Sequence, residues 1–548
     1  MCLVYPNTYF VGMSNLGLQT LYRLFNSETL CVCERAFLPD RSELEEYQPA
    51  VLDGRHSGSG LFSLESQTPL NGFDIIAFSV SFEEDYANIP KILALSGIPV
   101  FSDSRNSGHP LVMAGGCAVT LNPEPLADIM DVFFIGEAEG TVEGFVESCS
   151  SLSGKGIKRK DALRELARLP GVYAPVFYDF RYDGPRVESI RPLEGVEFPV
   201  KRVRARDGDM ELPQTVVITP DTEFSSTALI EIERGCPRGC RFCTAGFIYL
   251  PPRWADLSLA KEALSRGLGL AGRAGLVGAA VSEYPSLKEL LRLGVERKKE
   301  ITVSSLRVDM IDGELLALLR DTGYRTITIA PEAGAERLRR VVNKGFSDEE
   351  IFESARLIAS AGFKRLKLYF MVGLPTETDE DCGAAAELAK KIRNIMKGGK
   401  VILSVNPFVP KPSTPFQWHP FADIGVIKRR YGIIKDALKR EGGVEVKTLA
   451  PAGAFVQAYL SRSDRRTGRV IEEASRTGWR RALKKAAARD PSVNECVFRE
   501  RGKDEIFPWD VAASGVKKTY LWNEYQRGLN ALVTPPCDVG RCLRCGVC

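Results

Sequence analysis

Histidine is nearly missing from this 548-residue chain, with only three present: His56, His109 and His419. A Ser-His-Asp triad or a histidine-based zinc hydrolase is therefore poorly supplied. Long apolar runs are missing too. None approaches the ~20 residues that a membrane span needs, so no membrane association is expected. The N-terminus, MCLVYPNTYFVG, has no basic segment followed by an extended apolar core and does not read as a signal peptide. Net charge is only +3, which gives no global attraction to nucleic acid, so any basic patch must be local. These absences fit a cytoplasmic protein.

Cysteine, by contrast, is plentiful and unevenly placed. Of 14 cysteines, seven lie in two tight clusters, 236/240/243 and 537/542/545/548. Secreted disulfide scaffolds are short and spread their cysteines, whereas clusters in a long chain point to metal. The other seven (Cys2, Cys31, Cys33, Cys117, Cys149, Cys382, Cys496) are expected as core thiols.

The first cluster lies in ERGCPRGCRFCTAGF, residues 233–247, with C-x3-C-x2-C spacing. Gly235, Pro237 and Gly239 keep the segment non-helical, as wrapping three thiolates around one centre requires. Three thiols are one short of closing a tetrahedral zinc site, and no further cysteine or histidine lies within twenty residues. A cluster held by three thiolates is a better fit than zinc. Arg238 and Arg241, on either side of Cys240, are expected to favour the thiolate forms and offset the cluster's negative charge.

Residues 1–145 alternate buried strands (3–5, 73–82, 109–118 and 131–141) with helical segments, led by SNLGLQTLYRLFN behind a Ser14/Asn15 cap. This alternation predicts an α/β, doubly wound, Rossmann-like sheet that binds its ligand beyond the carboxyl ends of the strands. There Gly115 and Gly116 would let a large flat ligand approach the backbone, and Ser79, Ser81 and Thr120 offer hydroxyls. Residues 146–225 read as a connector. From 226 to 421 the pattern predicts a partial (β/α)6 barrel, with strands in 227–235, 275–285, 301–309, 326–338, 366–381 and 402–418. Ser282, Glu283, Ser304, Ser305, Arg307 and Glu332 fall at the carboxyl ends of its strands, and a helix starting near Gly334 would present backbone N–H groups.

Residues 422–548 are expected as a small, mainly helical C-terminal domain. Within it, 461–490 holds ten Lys/Arg against four Asp/Glu, with Trp479 among them. RNA contact and a solvated helical face both fit that stretch, and Asp464, Arg465 and Arg466 are candidates for internal ion pairs. The chain closes on CDVGRCLRCGVC, which places Cys537, Cys542, Cys545 and Cys548 in a C-x4-C-x2-C-x2-C run. Four thiols fill every protein position of a second [4Fe–4S] cluster or of a zinc site, so a structural or electron-relay role is expected.

With Phe242 directly before its last cysteine, the 236–243 loop resembles that of the radical SAM superfamily. The resemblance implies that Cys236, Cys240 and Cys243 are catalytic and hold three irons of a [4Fe–4S] cluster. S-adenosylmethionine (SAM) would chelate the fourth iron, and electron transfer would release a 5′-deoxyadenosyl radical. The strand–GG–strand–GE order ahead of the loop resembles the cobalamin-binding domain that precedes many such enzymes. That likeness implies cobalamin against Ser79, Ser81, Gly115, Gly116 and Thr120. In one branch of those domains the loop after the first strand carries an axial histidine in D-x-H-x-x-G, and PNTYFVGMSNLG here has none. The barrel is similar to methylthiotransferase-like radical SAM barrels, which implies SAM contacts from Ser282, Ser305, Arg307 and Glu332. GAAVSEYP stands where that family has G-G-E after the second strand. YPNTYFVGMSNLGLQTLY, NPFVPKPSTPFQW, SRSDRRTGRVI and FPWD extend the likeness to a family of cobalamin-type radical SAM proteins along most of the chain. A low-potential electron donor such as flavodoxin or ferredoxin is the implied partner.

Three functional readings follow. The first is a cobalamin-dependent radical SAM methyltransferase acting on an unactivated carbon. The second is a radical SAM enzyme of methylthiotransferase or other RNA-modifying type that uses a C-terminal cluster. The third is an RNA-binding protein with structural metal sites, against which the open three-cysteine loop argues.

Overall fold

The structure, a computed structural model, describes residues 1–44, 60–152, 156–205 and 212–548; His56 lies outside the described residues. It divides into two compact units. The first comprises Met1–Ser225, Tyr459–Val497 and Asp504–Gly515, and the second Ser226–Ala458, Phe498–Lys503 and Val516–Cys548. The stretch expected as a separate C-terminal domain is thus shared out between them. Among the described residues no helix is long and apolar enough to cross a membrane.

The first unit is built on a sheet of strands β1 (Cys2–Tyr5), β2 (Glu34–Phe37), β3 (Ile75–Ser79), β4 (Leu111–Gly115), β5 (Val132–Phe134) and β6 (Val172–Tyr173). Their order is 2-1-3-4-5-6, parallel except for the β5–β6 pair. This is the doubly wound sheet expected, with the flavodoxin-type order whose switch point lies between β1 and β3. The sequence reading missed β2, a short edge strand with only Ala36 fully buried. Helix Leu16–Ser27 starts where expected, because Asn15 accepts the Leu18 amide in its side chain.

The connector contributes a hairpin of β7 (Tyr178–Asp183) and β8 (Arg186–Pro192), and β9 (Val200–Lys201) pairs in parallel with Ala512–Ala513. The basic 461–490 stretch begins inside this unit. Arg465 bonds the fully buried carboxylate of Glu124 at 2.8 Å, donates to Tyr173 Oη at 2.9 Å and stacks over Phe180. Arg466 pairs with Asp464 at 2.7 Å and stacks over Tyr182, and the buried Arg462 donates to the Cys496 carbonyl. The expectation of internal ion pairs therefore holds for its first half. Further along, Arg480, Arg481 and Lys484 are exposed on helix Trp479–Arg489.

The second unit carries parallel strands β10 (Ala228–Glu231), β13 (Arg273–Val277) and β14 (Glu300–Val303), and then β15 (Thr326–Glu332), β16 (Arg365–Val372), β17 (Lys400–Pro407) and β18 (Val444–Thr448). The short β11 (Glu233–Arg234) and β12 (Arg253–Trp254) pair with each other. A bridge from Leu306 to Ile329 links the three-stranded and four-stranded runs, so the strands form an open, partial barrel. β18 goes beyond the six strands expected. It is half-buried, VEVKT, and too polar to stand out from the basic helical sequence around it. Helices alternate with the strands and are capped by sequence. Ser347 with Glu350 and Thr378 with Asp381 form capping boxes, and Gly272 closes helix Leu257–Ala271 at φ 78°.

Candidate active site

The three-cysteine loop leaves β11 and stays non-helical until the short helix Ala245–Ile248. Gly235 makes this possible at φ 87°, where a Cβ would lie 2.5 Å from the Tyr249 carbonyl oxygen. Cys240 is buried, and Cys236 and Cys243 are half-buried. Burial pushes the Cys236 thiol up to about 12, and the neighbouring Cys240 and Cys243 add to the shift. Burial and Cys240 likewise raise Cys243, while Lys344 opposes them. Among the described residues no three His, Cys, Asp or Glu side chains stand close enough to hold a metal ion as they are. The thiols of the loop are nonetheless near enough to raise one another's pKa. Soft thiols beside one cation are a donor set that fits an iron–sulfur cluster, which would stabilise the thiolates that burial disfavours.

The two arginines of the loop divide their roles. Arg238 lies beside Cys236 but binds Glu283 at 2.5 Å and Asp309 at 3.3 Å. Arg241 corrects the sequence reading. Its side chain is fully buried and is spent on Glu524 at 3.1 Å, on the carbonyls of Arg340, Val341 and Leu532, and on Thr534 Oγ1. It fastens the last segment of the chain to the loop and does not serve the thiols. The cation facing Cys240 and Cys243 is Lys344, ion-paired to Glu332 at 3.3 Å. No motif in the sequence marks Lys344.

The expected SAM contacts gather into one network. Ser282 Oγ accepts the Arg307 amide at 3.2 Å. The Arg307 guanidinium binds Glu283 at 3.0 Å and Asp309, and stacks over Phe346. Glu332, raised by burial, completes it through Lys344. Ser305 is half-buried just past β14. Gly334 stands two residues ahead of the helix expected near it. The helix after it is the short Glu336–Val341, and Gly334 is needed because a Cβ would stand 2.1 Å from the Ala385 nitrogen. Sequence reasoning also passed over Glu233, which read as a charged residue in an alternating strand. It is buried, its Oε2 accepts the Ala280 amide at 2.8 Å, and its Oε1 has no hydrogen-bond partner among the described residues. Burial, with Glu283 and Glu231 nearby, pushes it up to about 7.

In the first unit, the residues expected to hold a flat ligand have internal partners. Ser81 accepts from Asn15 Nδ2 at 2.9 Å, Thr120 Oγ1 accepts the Gly136 amide at 3.2 Å, and Ser79 is buried at the end of β3. A Cβ on Gly116 would lie 2.4 Å from the Val80 carbonyl oxygen, so strand packing alone demands that glycine. Gly115 is less crowded, with nothing nearer than 3.8 Å. The switch point between β1 and β3 offers more. Asn7 bonds Asp85 there at 2.7 Å, and Phe10, Val11 and Phe82, on the segments leaving β1 and β3, stay exposed. His109 precedes β4 at the opposite, amino end of the sheet.

An N-terminal sheet unit ahead of a partial barrel with a C-x3-C-x2-C loop is the arrangement of a radical SAM enzyme. The family described as radical SAM proteins, N-terminal, matches residues 17–175, and the radical SAM superfamily matches residues 230–389. The chain belongs to that superfamily, whose members use a [4Fe–4S] cluster and SAM. Within it, the chain shares a family with the uncharacterized protein MJ0966 of Methanocaldococcus jannaschii, 30% identical over 92% of this chain and 97% of that protein. The threonylcarbamoyladenosine tRNA methylthiotransferase MtaB of Treponema pallidum is 26% identical over 42% of this chain and 48% of its own length. Among solved structures, the radical SAM methyltransferase TsrM of Kitasatospora setae is similar at 15% identity and a TM-score of 0.48, over 76% of this chain and 74% of that one.

Proposed function

We propose that this radical SAM enzyme is a cobalamin-dependent methyltransferase acting on an unactivated carbon, with its cluster held by Cys236, Cys240 and Cys243. When bound, the cluster with SAM supplies a hydrogen-abstracting adenosyl radical, and cobalamin supplies the methyl group. The chain's residues bind and orient. Glu233, with its free Oε1, and Glu332 offer carboxylates to the SAM ammonium, and Arg307 offers a guanidinium to its carboxylate. Ser282 keeps a hydroxyl proton free to donate, since it accepts from Arg307. Lys344 balances the charge of the thiolates.

The observation that carries the cobalamin assignment is the switch point of the first sheet. The strand order reverses between β1 and β3, which opens a crevice beyond their carboxyl ends, and Phe10, Val11 and Phe82 present apolar surface there. A flat, partly apolar macrocycle suits such a rim. Among the described residues of the first unit the one histidine, His109, lies at the opposite end of the sheet, so that unit's described residues would put no histidine beneath a corrinoid there. The test is anaerobic expression with hydroxocobalamin, followed by cobalt analysis and SAM turnover. About one cobalt per chain, with both 5′-deoxyadenosine and S-adenosylhomocysteine formed, is the expected result. No cobalt would instead favour the methylthiotransferase-type reading, which the second cysteine cluster beside the loop also supports.

A further inference from the structure

The last twelve residues do more than end the chain. Asn343, buried at φ 60°, donates to the Arg238 and Gly239 carbonyls of the cysteine loop and to the Thr534 carbonyl, all at 3.2 Å, and accepts the Thr534 amide at 2.8 Å. Arg241 adds the bonds to Leu532 and Thr534. So held, the Cys537 amide donates to the Pro237 carbonyl at 2.7 Å, one residue from Cys236. Bond lengths then keep the Cα atoms of Cys537 and Cys236 within roughly 11 Å of each other. One cavity is lined by Cys236, Cys537, Cys542 and Cys545 together.

The tail is also shaped around its own thiols. Arg544 donates to Cys542 Sγ at 3.1 Å and to the Pro535 and Pro536 carbonyls at 3.0 Å, and the Lys517 amide donates to the Cys545 carbonyl at 2.9 Å. Cys545 is buried and Cys548 is exposed, so the group reaches from the loop side to solvent.

We propose that Cys537, Cys542, Cys545 and Cys548 hold a second iron–sulfur cluster, closed by four protein thiolates, that relays single electrons from a low-potential donor protein to the cluster of the 236–243 loop. The relay rests on the radical SAM reading of that loop, whereas metal binding by the tail does not. One electron from the donor reduces the tail cluster, and the tail cluster is reoxidised as the loop cluster is reduced. Charge is conserved and no bond or proton changes hands. A site meant only for folding has no need of an exposed ligand at one end and the loop backbone at the other, whereas a relay needs both.

The experiment is iron and zinc analysis with EPR on the anaerobically purified full chain and on two variants. Wild type is expected to hold about eight irons and the triple variant C236A/C240A/C243A about four, the latter with an EPR signal from the tail on reduction. Cys548→Ser, at the exposed ligand, is expected to lower the iron count or alter that signal with an unchanged far-UV circular dichroism spectrum. It should also slow reduction of the loop cluster by a flavodoxin-type protein at least tenfold, while dithionite still reduces it. About four irons and one zinc per wild-type chain would overturn the proposal, as would an unchanged rate with the protein donor. If SAM is not cleaved but the triple variant keeps its irons, the reading of the loop fails and the tail cluster stands.

Discussion

Removing the Arg241 side chain separates two accounts of that residue. In the structure it bonds one buried carboxylate and three backbone carbonyls, and when it is gone Glu524 keeps, among the described residues, Thr534 Oγ1 at 2.8 Å and a longer contact to Arg527. Breaking a buried pair from one side costs roughly 3–5 kcal/mol, because the remaining charge is uncompensated. Taking about 4 kcal/mol and 1.4 kcal/mol per factor of ten, the equilibrium for opening the 528–537 segment should rise close to a thousandfold. Hydrogen exchange read by mass spectrometry measures it. In Arg241→Ala, peptides across 528–537 should exchange far faster, while helix Asp348–Ser360 keeps its wild-type protection. The double variant R241M/E524L should recover most of the loss, since an apolar pair of similar volume replaces the ions without a desolvation cost. Exchange within threefold of wild type, together with lost iron, would falsify this account and return Arg241 to the thiolates.

Three other outcomes can be checked independently. Burial pushes Asp85 up to about 6, against the pull of Asn7. A raised acid leaves its share of stability intact below the unfolded pKa and loses it as pH rises through the folded one, so stability should fall between about pH 4 and 6. Asp85→Asn should remove that slope and stabilise the first unit on the order of 2 kcal/mol at pH 8, by thermal melts across pH. Gly334→Ala forces a methyl against the Ala385 backbone and should cost about 1–3 kcal/mol or more, seen as a lower calorimetric transition for the second unit. Lys344→Met removes the cation facing Cys240 and Cys243. It should make the loop cluster harder to reduce, by tens of millivolts in an EPR redox titration, and an unchanged potential would sink the charge-balancing role.

The elements that the sequence displayed were those with strong periodicity or a special residue. Most of the parallel strands of both units and the cap at Asn15 come from alternation and short polar side chains, which act locally. β2 and β18 escaped because edge strands bury few residues and leave little apolar pattern. Among site residues, the cysteines carried their own spacing. Glu233, Asn343 and Lys344 had no such signal, since their importance arises from neighbours far off in sequence. The same distance effect misled the reading of Arg241, whose sequence neighbours are cysteines but whose partners are Glu524 and Thr534. Gly116 was read as ligand-facing when backbone crowding already demands it.

The discontinuous first unit has a consequence for how the protein comes off the ribosome. Glu124 is sealed in that unit, and its counter-ion Arg465 is encoded 341 residues later, after the whole of the barrel. At translation speeds of about 5–20 residues per second, the nascent sheet waits tens of seconds for its missing cation. A fragment ending at Ser225 never receives it, so expressing the N-terminal sheet alone should give aggregated protein. Supplying Tyr459–Gly515 as a separate chain should rescue it.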